Sequence, residues 1–370
     1  MIKVPNQLQK KPLLGILTIS DDHGGFKGNK MYFQAISQEA QRQGERVVII
    51  PIHKSTSVDQ MDISDGWQWS SSAHQWKKKA SLVPSVVYNR IPSRKAESSD
   101  LGAYWISQIK QRFKLPLFNP FFFNKWQLYQ WLKFSGIEGL RIPFTCRLHN
   151  PEDGLMMLKS YERIYLKPVD GKAGIGFFVL NRQGTFFQNE SGTKYETLET
   201  EQVRWQNIGT VIGQQNYIAQ QSIALATNDG RPFDIRVLVQ KNRRGQWKMS
   251  GVGARVAGSH AISTHVPRGG SIAPARDVLS NAFGANGSAL LLKKIEQIAI
   301  HCAMHIEQCC RYSLGELSLD LGIDEHMRCW FFEANSKPMT FDEPEIFTTS
   351  VKRIIEYAKF LRSASTGSST

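Results

Sequence analysis

The sequence predicts an α/β fold at the amino-terminal end of the chain and an α+β fold over most of the remainder. Segments with strand and helix patterns alternate over residues 13–113, which is typical of a parallel sheet with helices on its faces. Antiparallel strands and further helices are indicated later. With 370 residues, 41% of them hydrophobic, the chain is long enough for two or three domains.

The first domain is predicted to span residues 1–115. Its strand segments are apolar and β-prone, and its helix segments carry apolar residues at helical spacing. A polar segment rich in tryptophan, residues 55–80, is predicted to be a surface elaboration. The other predicted elements are strands 13–20, 46–52 and 83–90 and helices 29–43 and 101–113.

Asn89 and Arg90 stand at the end of the third predicted strand. Ligands of parallel sheets bind beyond the carboxyl ends of the strands, and the planar fork of arginine suits a carboxylate or a phosphate. The sequence therefore predicts that Asn89 and Arg90 hold part of the substrate. An interdomain salt bridge made by Arg90 is the alternative interpretation.

A glycine-rich turn joins two apolar runs, residues 164–169 and 177–180. Because glycine lacks a Cβ atom, such a turn can bring backbone N–H groups close to phosphate oxygens, and Lys167 adds a positive charge from the first strand. This is not a Walker loop, since no Lys-Ser or Lys-Thr follows and the next segment resembles a strand. A hairpin that binds nothing is the alternative.

The second part of the chain begins near Pro116. Lys125 is a candidate binding residue because it opens a helical segment beside apolar neighbours, although a solvated lysine would look the same. A Ser/Thr-rich tail, residues 363–370, is predicted to be disordered. Between them, the predicted elements are a strand near 217–223, an antiparallel pair at 232–240 and 247–256, a helix at 289–311, a strand at 328–333 and a helix at 347–361.

Asp320, Glu333 and Asn335 form a candidate metal site. Glu333 and Asn335 alternate at a strand end and so share a face, and pairing with the preceding strand would bring Asp320 beside them. Two carboxylates and an amide oxygen suit Mg²⁺, which binds few protein oxygens. Salt-bridged acids at a strand end are the alternative.

Composition limits the partners and the compartment. The net charge of +14 favours contact with anions, or simply a solvated basic surface, and the scattered lysines and arginines do not indicate nucleic-acid binding. Five cysteines without Cys-x-x-Cys spacing favour a reducing compartment, the cytoplasm. The apolar runs are shorter than the roughly 20 residues of a membrane helix, and no signal peptide is indicated.

Several short motifs also occur in a characteristic order. This order resembles that of the ATP-grasp superfamily and, more closely, its YheC/YheD endospore coat-associated family, over nearly the whole chain. The motifs are Gly15-Ile16-Leu17-Thr18, Tyr88-Asn89-Arg90-Ile91-Pro92, Phe118-Asn119-Pro120, Lys167-Pro168-Val169-Asp170-Gly171, Phe233-Asp234-Ile235-Arg236 and Glu333-Ala334-Asn335-Ser336-Lys337-Pro338.

The resemblance implies an ATP-grasp fold preceded by a pre-ATP-grasp parallel α/β domain. The pre-ATP-grasp domain would be residues 1–115 and the ATP-grasp domain residues 116–362. The latter would divide into a small subdomain, about 125–220, and a large subdomain, about 221–362.

The resemblance also implies roles for individual residues. Lys125 and Lys167 would contact the phosphates of ATP, Asp320, Glu333 and Asn335 would hold Mg²⁺, and Arg236 and Arg268 would face the transferred phosphoryl group. The flap residues would be Gly171, Lys172, Gly174 and Gly176, and the adenine edge would meet the segment that contains Gln220, Gln221 and Ile223.

Two departures from the superfamily pattern bear on these roles. Many relatives carry a glutamate where this chain has Gln220-Gln221. The segment His265-Val266-Pro267-Arg268-Gly269-Gly270 resembles the Asn-Leu-His-Arg-Gly-Gly stretch of the ribosomal-protein glutamate ligases only in part, which leaves the acceptor open.

The implied activity is an ATP- and Mg²⁺-dependent ligation of a carboxylate to an amine or a thiol through an acyl-phosphate. The implied partners are ATP, an acidic small-molecule or peptide substrate, and spore coat proteins, with the spore coat as a second location. A coat structural protein on an ATP-binding scaffold and an ATP-dependent phosphotransferase are the alternatives.

Overall fold

The computed structural model describes residues 11–53, 63, 65–80, 83–171, 176–181, 184–189, 192–196, 216–258 and 270–367. The strands in these ranges form three sheets. Among the helices described, none is both long and apolar enough to cross a membrane.

The first sheet contains the parallel strands that the alternating pattern predicts. Strand β1 (Leu14–Ile19) pairs in parallel with β2 (Val47–Ile52) and with β5 (Val86–Asn89), which in turn pairs with β6 (Leu117–Phe118). Opposite faces of the sheet pack against α1 (Lys30–Arg42) and α3 (Asp100–Gln111), and α2 (Arg94–Glu97) precedes α3. The α/β prediction for this region is confirmed.

An antiparallel hairpin extends this sheet at its edge. It consists of β3 (Asp65–Ser70), which pairs with β2, and β4 (Gln75–Ala80). The ring centroids of Trp67 and Trp76 lie 6.0 and 5.1 Å from that of Phe26. Residues 65–80 of the predicted surface elaboration are therefore part of the sheet, and two of its tryptophans cover an apolar residue.

The second sheet is antiparallel and holds the glycine-rich turn. Its strand order is β12-β11-β10-β9-β13-β8, and the turn joins β9 to β10 as a hairpin, as predicted. The helix α4 (Lys125–Leu132) and the short β7 (Leu140–Arg141) precede it. Its elements are β8 (Thr145–Leu148), α5 (Pro151–Ser160), β9 (Arg163–Pro168), β10 (Phe177–Asn181), β11 (Gly184–Asn189), β12 (Gly192–Glu196) and β13 (Tyr217–Gln221).

The third sheet contains the predicted antiparallel pair, and its strand order is β17-β16-β15-β18-β19-β7. One face packs against α6 (Ala275–Cys310), which begins well before the predicted helix 289–311 and is kinked at Gly284, where φ is 72°. The opposite face is called the site face below. The strands are β14 (Thr227–Asn228), β15 (Arg231–Lys241), β16 (Trp247–Val256), β17 (Ser271–Pro274), β18 (Glu316–Ile323) and β19 (Cys329–Asn335).

The last helix, α7 (Pro344–Gly367), returns to the first sheet. Its buried residues, among them Ile354 and Ile355, lie in one apolar cluster with Ile16 and Phe33. A core thus joins residues on both sides of the boundary predicted near Pro116.

The prediction that the tail is disordered is wrong for residues 363–367, which continue α7. Disorder was predicted from the serine and threonine content of this segment. In the helix, the hydroxyls of Ser363 and Ser365 donate to the carbonyl oxygens of Lys359 and Leu361, one turn earlier, at 3.1 and 2.8 Å. Residues 368–370 lie outside the described residues.

Candidate active site

A row of polar residues crosses the site face of the third sheet. Gly253 pairs with Arg236, Arg236 with Asp320, and Asp320 with Glu333, on four neighbouring strands. Asn335 follows two residues after Glu333 and shares its face, because side chains alternate along a strand. The pairing predicted between Asp320 and Glu333 is confirmed.

Lys125 connects this row to the glycine-rich turn. It begins α4, whose cap Asn124 accepts a hydrogen bond from the N–H of Gln127 at 2.7 Å. The Lys125 Nζ donates to the carbonyl oxygen of Gly171 at 2.6 Å and lies 3.7 Å from Oε1 of Glu333. One ammonium group therefore contacts both the turn and the candidate metal site.

Lys167 points to the same place from β9. Its Nζ donates to Oε1 of Gln220 at 2.6 Å, and Nε2 of Gln220 donates to Oγ1 of Thr145 at 3.1 Å. Burial, together with the neighbouring charge of Lys125, lowers the pKa of Lys167 to about 8, although Glu333 acts in the opposite direction. Two ammonium groups held this close favour the binding of an anion.

An apolar pocket lies beside these lysines, between the second and third sheets. Lys125, Lys167 and Gln220 supply its polar lining. Its apolar lining was not predicted from the sequence and consists of Tyr129, Ile142, Ile218, Phe331 and Phe332.

A β-bulge places one of these aromatic residues. Asp320 pairs with Glu333 but Leu321 pairs with Phe331, so that Phe332 is an extra residue on β19. Its ring lies over Gly322, where an added Cβ atom would come within 2.3 Å of Cζ of Phe332. The sequence does not reveal the bulge, because a single extra residue leaves the apolar pattern of the strand almost unchanged.

Arg255 is another residue of the site that the sequence interpretation missed. Its Nε and Nη2 donate to the two carboxylate oxygens of Asp234, both at 2.8 Å, and Nη2 lies 2.9 Å from Oδ2 of Asp320. Burial disfavours the charged guanidinium, but Asp320 and Asp234 raise the pKa of Arg255 above its ordinary value. Arg255 therefore neutralises two buried acids and orients Asp320.

Arg236 has a different environment. Its guanidinium lies over the ring of Phe341, with Cζ 5.1 Å from the centroid. Within the described part of the chain, its buried Nε has no hydrogen-bond partner. A buried donor without an acceptor is suited to an anionic ligand.

The acids on the row fit Mg²⁺. Asp320, Glu333 and Asn335 present hard oxygens on one face, and Mg²⁺ is commonly held by one or two carboxylates together with substrate phosphates. No group of three or more His, Cys, Asp or Glu residues arranged for a metal occurs among the described residues. A Mg²⁺ ion at this position would therefore also need the amide oxygen of Asn335 and oxygens of a ligand.

Asn89 and Arg90 lie in a different environment. The side chain of Asn89 is fully buried, donates to Glu97 and to the carbonyl oxygen of Pro120, and accepts from the N–H of Ile91. Arg90 donates to Oε1 of Glu316 at 3.2 Å and to the carbonyl oxygen of Pro338 at 3.1 and 3.2 Å. These contacts favour the interdomain salt bridge over the substrate role.

Comparison with known proteins assigns the chain to a family. Residues 114–361, more than half of the chain, match the family described as YheC/D like ATP-grasp. The chain belongs to this family. The endospore coat-associated protein YheD of Bacillus subtilis (strain 168) is 28% identical over 300 residues, which are 77% of this chain and 65% of YheD. The chain thus matches slightly less than two thirds of that relative.

Solved structures show the same ATP-grasp fold. The D-alanine-D-alanine ligase from Coxiella burnetii is 12% identical with a TM-score of 0.56, and the match covers 97% of each chain. The macrocyclase MdnC from Microcystis aeruginosa MRC, bound with precursor peptide MdnA, is 11% identical with a TM-score of 0.52 over 93% of this chain and 99% of MdnC. The predicted ATP-grasp fold and family are confirmed.

The ATP-grasp residues predicted from the sequence do not all meet in the pocket. Gly176, at a φ of 70°, accepts a hydrogen bond from the hydroxyl of Tyr217 at 2.9 Å where the turn ends. Oε1 of Gln221 accepts from the N–H of Phe144 at 3.2 Å, and Ile223 follows the end of β13. The predicted residues that lie outside the described part of the chain are Lys172, Gly174 and Arg268.

Proposed function

We propose that this protein is an ATP- and Mg²⁺-dependent ligase that joins a carboxylate to an amine through an acyl-phosphate. One observation carries the proposal: Lys125 and Lys167 line one apolar pocket, and Lys125 also lies 3.7 Å from Glu333, the cross-strand partner of Asp320. A pocket of this composition matches a nucleotide, which has a planar apolar ring at one end and a polyphosphate at the other.

The nucleotide would lie with its base in the pocket and its phosphates beside the lysines. Lys125 and Lys167 are kept close together at the cost of repulsion and desolvation, which an anion between them would relieve. The side chain of Gln220 already bonds to Lys167 and Thr145. The edge of the base would therefore meet backbone groups near Gln221 and Ile223.

Asp320, Glu333 and Asn335 would hold Mg²⁺, which supplies positive charge to the β- and γ-phosphates when bound. Arg255 fixes the carboxylate of Asp320 from the other side. Arg236, with its unused buried Nε, would face the transferred phosphoryl group, and Arg268 is proposed for the same role.

In the first step, an oxygen of the donor carboxylate attacks the γ-phosphorus, and the bond to the ADP oxygen breaks. In the second, the neutral amine nitrogen attacks the acyl carbon, phosphate leaves with the electrons of the carbon–oxygen bond, and the nitrogen loses one proton. The phosphate is the leaving group, so positioning and fixed charge suffice and the enzyme needs no covalent nucleophile.

The donor is proposed to be an acidic small molecule or a peptide carboxylate, in line with the charge of +14 and with the peptide bound to MdnC. A thiol acceptor would follow the same steps. The name of YheD supports a link to the endospore coat, with coat proteins as partners and the cytoplasm or coat as the location.

Mass analysis of the products formed from ATP, Mg²⁺ and a panel of acids and amines tests the proposal. A ligase yields a new amide together with ADP and phosphate. A phosphorylated acceptor would indicate a phosphotransferase instead. Absence of any ATP-dependent product, together with no thermal stabilisation by ATP and Mg²⁺, would leave the coat scaffold as the better account.

A further inference from the structure

We propose that Glu343 binds the acceptor and that the acceptor is a cationic amine. The proposal rests on the ligase function proposed above and adds a substrate class to it. Its basis is the position of Glu343 at the end of the polar row that lies farthest from the nucleotide pocket.

The segment that follows the metal-site strand folds back over the site face. Phe341 lies under the guanidinium of Arg236, and Glu343 lies over the neighbouring strand β16. An added Cβ atom at Gly253 would be 2.5 Å from Oε1 of Glu343. Glycine at this position therefore makes room for the carboxylate over β16, the strand next to that of Arg236, which is the cross-strand partner of Gly253.

The charges along the row have a definite order. From the pocket outward they are the ammonium of Lys125, the carboxylates of Glu333 and Asp320, the guanidinium of Arg236 and the carboxylate of Glu343. The terminal phosphate would lie near the acids and Arg236, because the base would occupy the pocket and the phosphates would extend from it past the lysines. A molecule that approaches this phosphate from the far side meets Glu343 first, and a carboxylate there attracts a cation.

The contacts of Glu343 argue against a purely structural role. Its carbonyl oxygen accepts from the N–H of Phe347 in the first turn of α7 at 2.9 Å. Its partly buried carboxylate, in contrast, makes no ion pair or hydrogen bond with the described residues, so it does not cap this helix. The side chain is directed to the row instead.

Glu343 would assist the transfer of the acyl group to the amine. The bound ammonium transfers one proton to the Glu343 carboxylate, and the neutral nitrogen forms a bond to the acyl carbon. Phosphate leaves with the electrons of the carbon–oxygen bond, and the second proton passes from nitrogen to solvent. Glu343 thus both attracts the cationic amine and receives the proton that blocks its lone pair.

Two acceptors of different charge test the proposal on the same enzyme. The full chain is given ATP, Mg²⁺ and L-glutamate, L-aspartate or an acidic dipeptide as donor. One reaction contains L-lysine or ethanolamine, which are cationic, and the other contains hydroxylamine, which is neutral and traps the acyl-phosphate as a hydroxamate. For Glu343→Gln we expect kcat/KM for the cationic amine to fall about 10- to 100-fold, the effect of losing a charge-assisted contact.

Hydroxamate formation should stay at the wild-type rate in Glu343→Gln, and Glu343→Asp should recover part of the amide formation. The matched control is Asp342→Asn, which removes an exposed charge from the adjacent position and should change neither reaction. Equal losses of amide and hydroxamate, or no loss of either, would overturn the role of Glu343. A wild-type protein that forms no hydroxamate would instead remove the ligase function itself.

Discussion

Lys167 and Lys337 are two buried lysines whose pKa values are lowered to the same extent but whose surroundings differ. Burial lowers the pKa of each to about 8. Lys337 contacts the carboxylate of Glu97 directly and its side chain is only 3% exposed, whereas Lys167 donates to the neutral amide oxygen of Gln220 beside an open pocket. A shifted pKa alone therefore does not identify a binding residue. The partner decides, since Lys337 is paired with a carboxylate whereas the hydrogen bond of Lys167 goes to a neutral amide.

The charged groups around Lys337 are buried and closely paired, whereas those around Lys167 are more exposed and less closely paired. We call Arg90, Glu97, Glu316 and Lys337 the interdomain cluster; its charges pair with one another at 2–10% side-chain exposure. Burial raises the pKa of Glu316, although Arg90 opposes this shift. Near Lys167, the pair Lys125–Glu333 is longer, at 3.7 Å, and 18% and 28% exposed. We expect substitutions in the interdomain cluster to affect stability and substitutions in the site to affect binding and turnover.

The largest effect is expected for Glu333→Gln. Loss of one hard, charged oxygen should abolish turnover while the melting temperature changes little, because the amide keeps the volume of the side chain. Steady-state kinetics and thermal melting check this, with Glu325→Gln, an exposed glutamate of a turn, as the control. Turnover at the parent rate would refute the metal assignment.

Arg90→Ala tests the structural role of the interdomain cluster. It leaves the buried Glu316 without its cation and frees the carbonyl oxygen of Pro338, so we expect the free energy of unfolding to fall by about 3–5 kcal/mol. ATP affinity should remain unchanged. An unaltered urea midpoint combined with a raised KM for the donor acid would show instead that Arg90 binds substrate.

Lys167→Ala should weaken ATP binding by about 1.5–3 kcal/mol, the contribution of a charge-assisted hydrogen bond. Titration calorimetry with ATP and Mg²⁺ measures this difference. Lys293→Ala removes an exposed lysine on α6 and serves as the control for net charge. Identical affinities for the parent and both variants would remove Lys167 from the nucleotide site.

The smallest effect concerns pH. Since the pKa of Lys167 is about 8, its charge is lost as pH rises through 8, and ATP affinity should fall by no more than about tenfold per pH unit. Lys167→Gln should remove this dependence. The effect on stability has the opposite sign. Between about pH 8 and the unfolded pKa near 10.4, Lys167 and Lys337 bind fewer protons in the folded state than in the unfolded state. These two lysines therefore make the free energy of unfolding rise with pH in this range. An affinity that is equally pH-dependent in Lys167→Gln would contradict the assignment.

The features that could be predicted from the sequence depend on local patterns. Alternation of apolar residues predicted the pair β15–β16 and the shared face of Glu333 and Asn335, and the order of motifs indicated Lys125 and Lys167. These signals lie within single strands or short motifs. The fold and the two lysines beside the pocket are therefore encoded in stretches short enough to be recognised in the sequence.

The remaining features depend on contacts between distant segments. Arg255 bridges acids on two other strands, and Glu343 reaches the row only because residues 336–343 fold back over the sheet. A usable signal was present in Gly251 and Gly253, which share a face with Arg255. Two glycines on one face of a strand indicate the close approach of another segment, here Ile346 and Glu343.

The position of α7 in the core of the first sheet has a consequence for biosynthesis. On a ribosome the strands of the first sheet emerge before the helix that covers part of the apolar face of this sheet, because that helix follows all the other described elements. Until then, residues such as Ile16 and Phe33 lack part of their native cover. The amino-terminal region should therefore complete its folding only after residue 358 has left the exit tunnel, and nascent chains shorter than this should depend on chaperones.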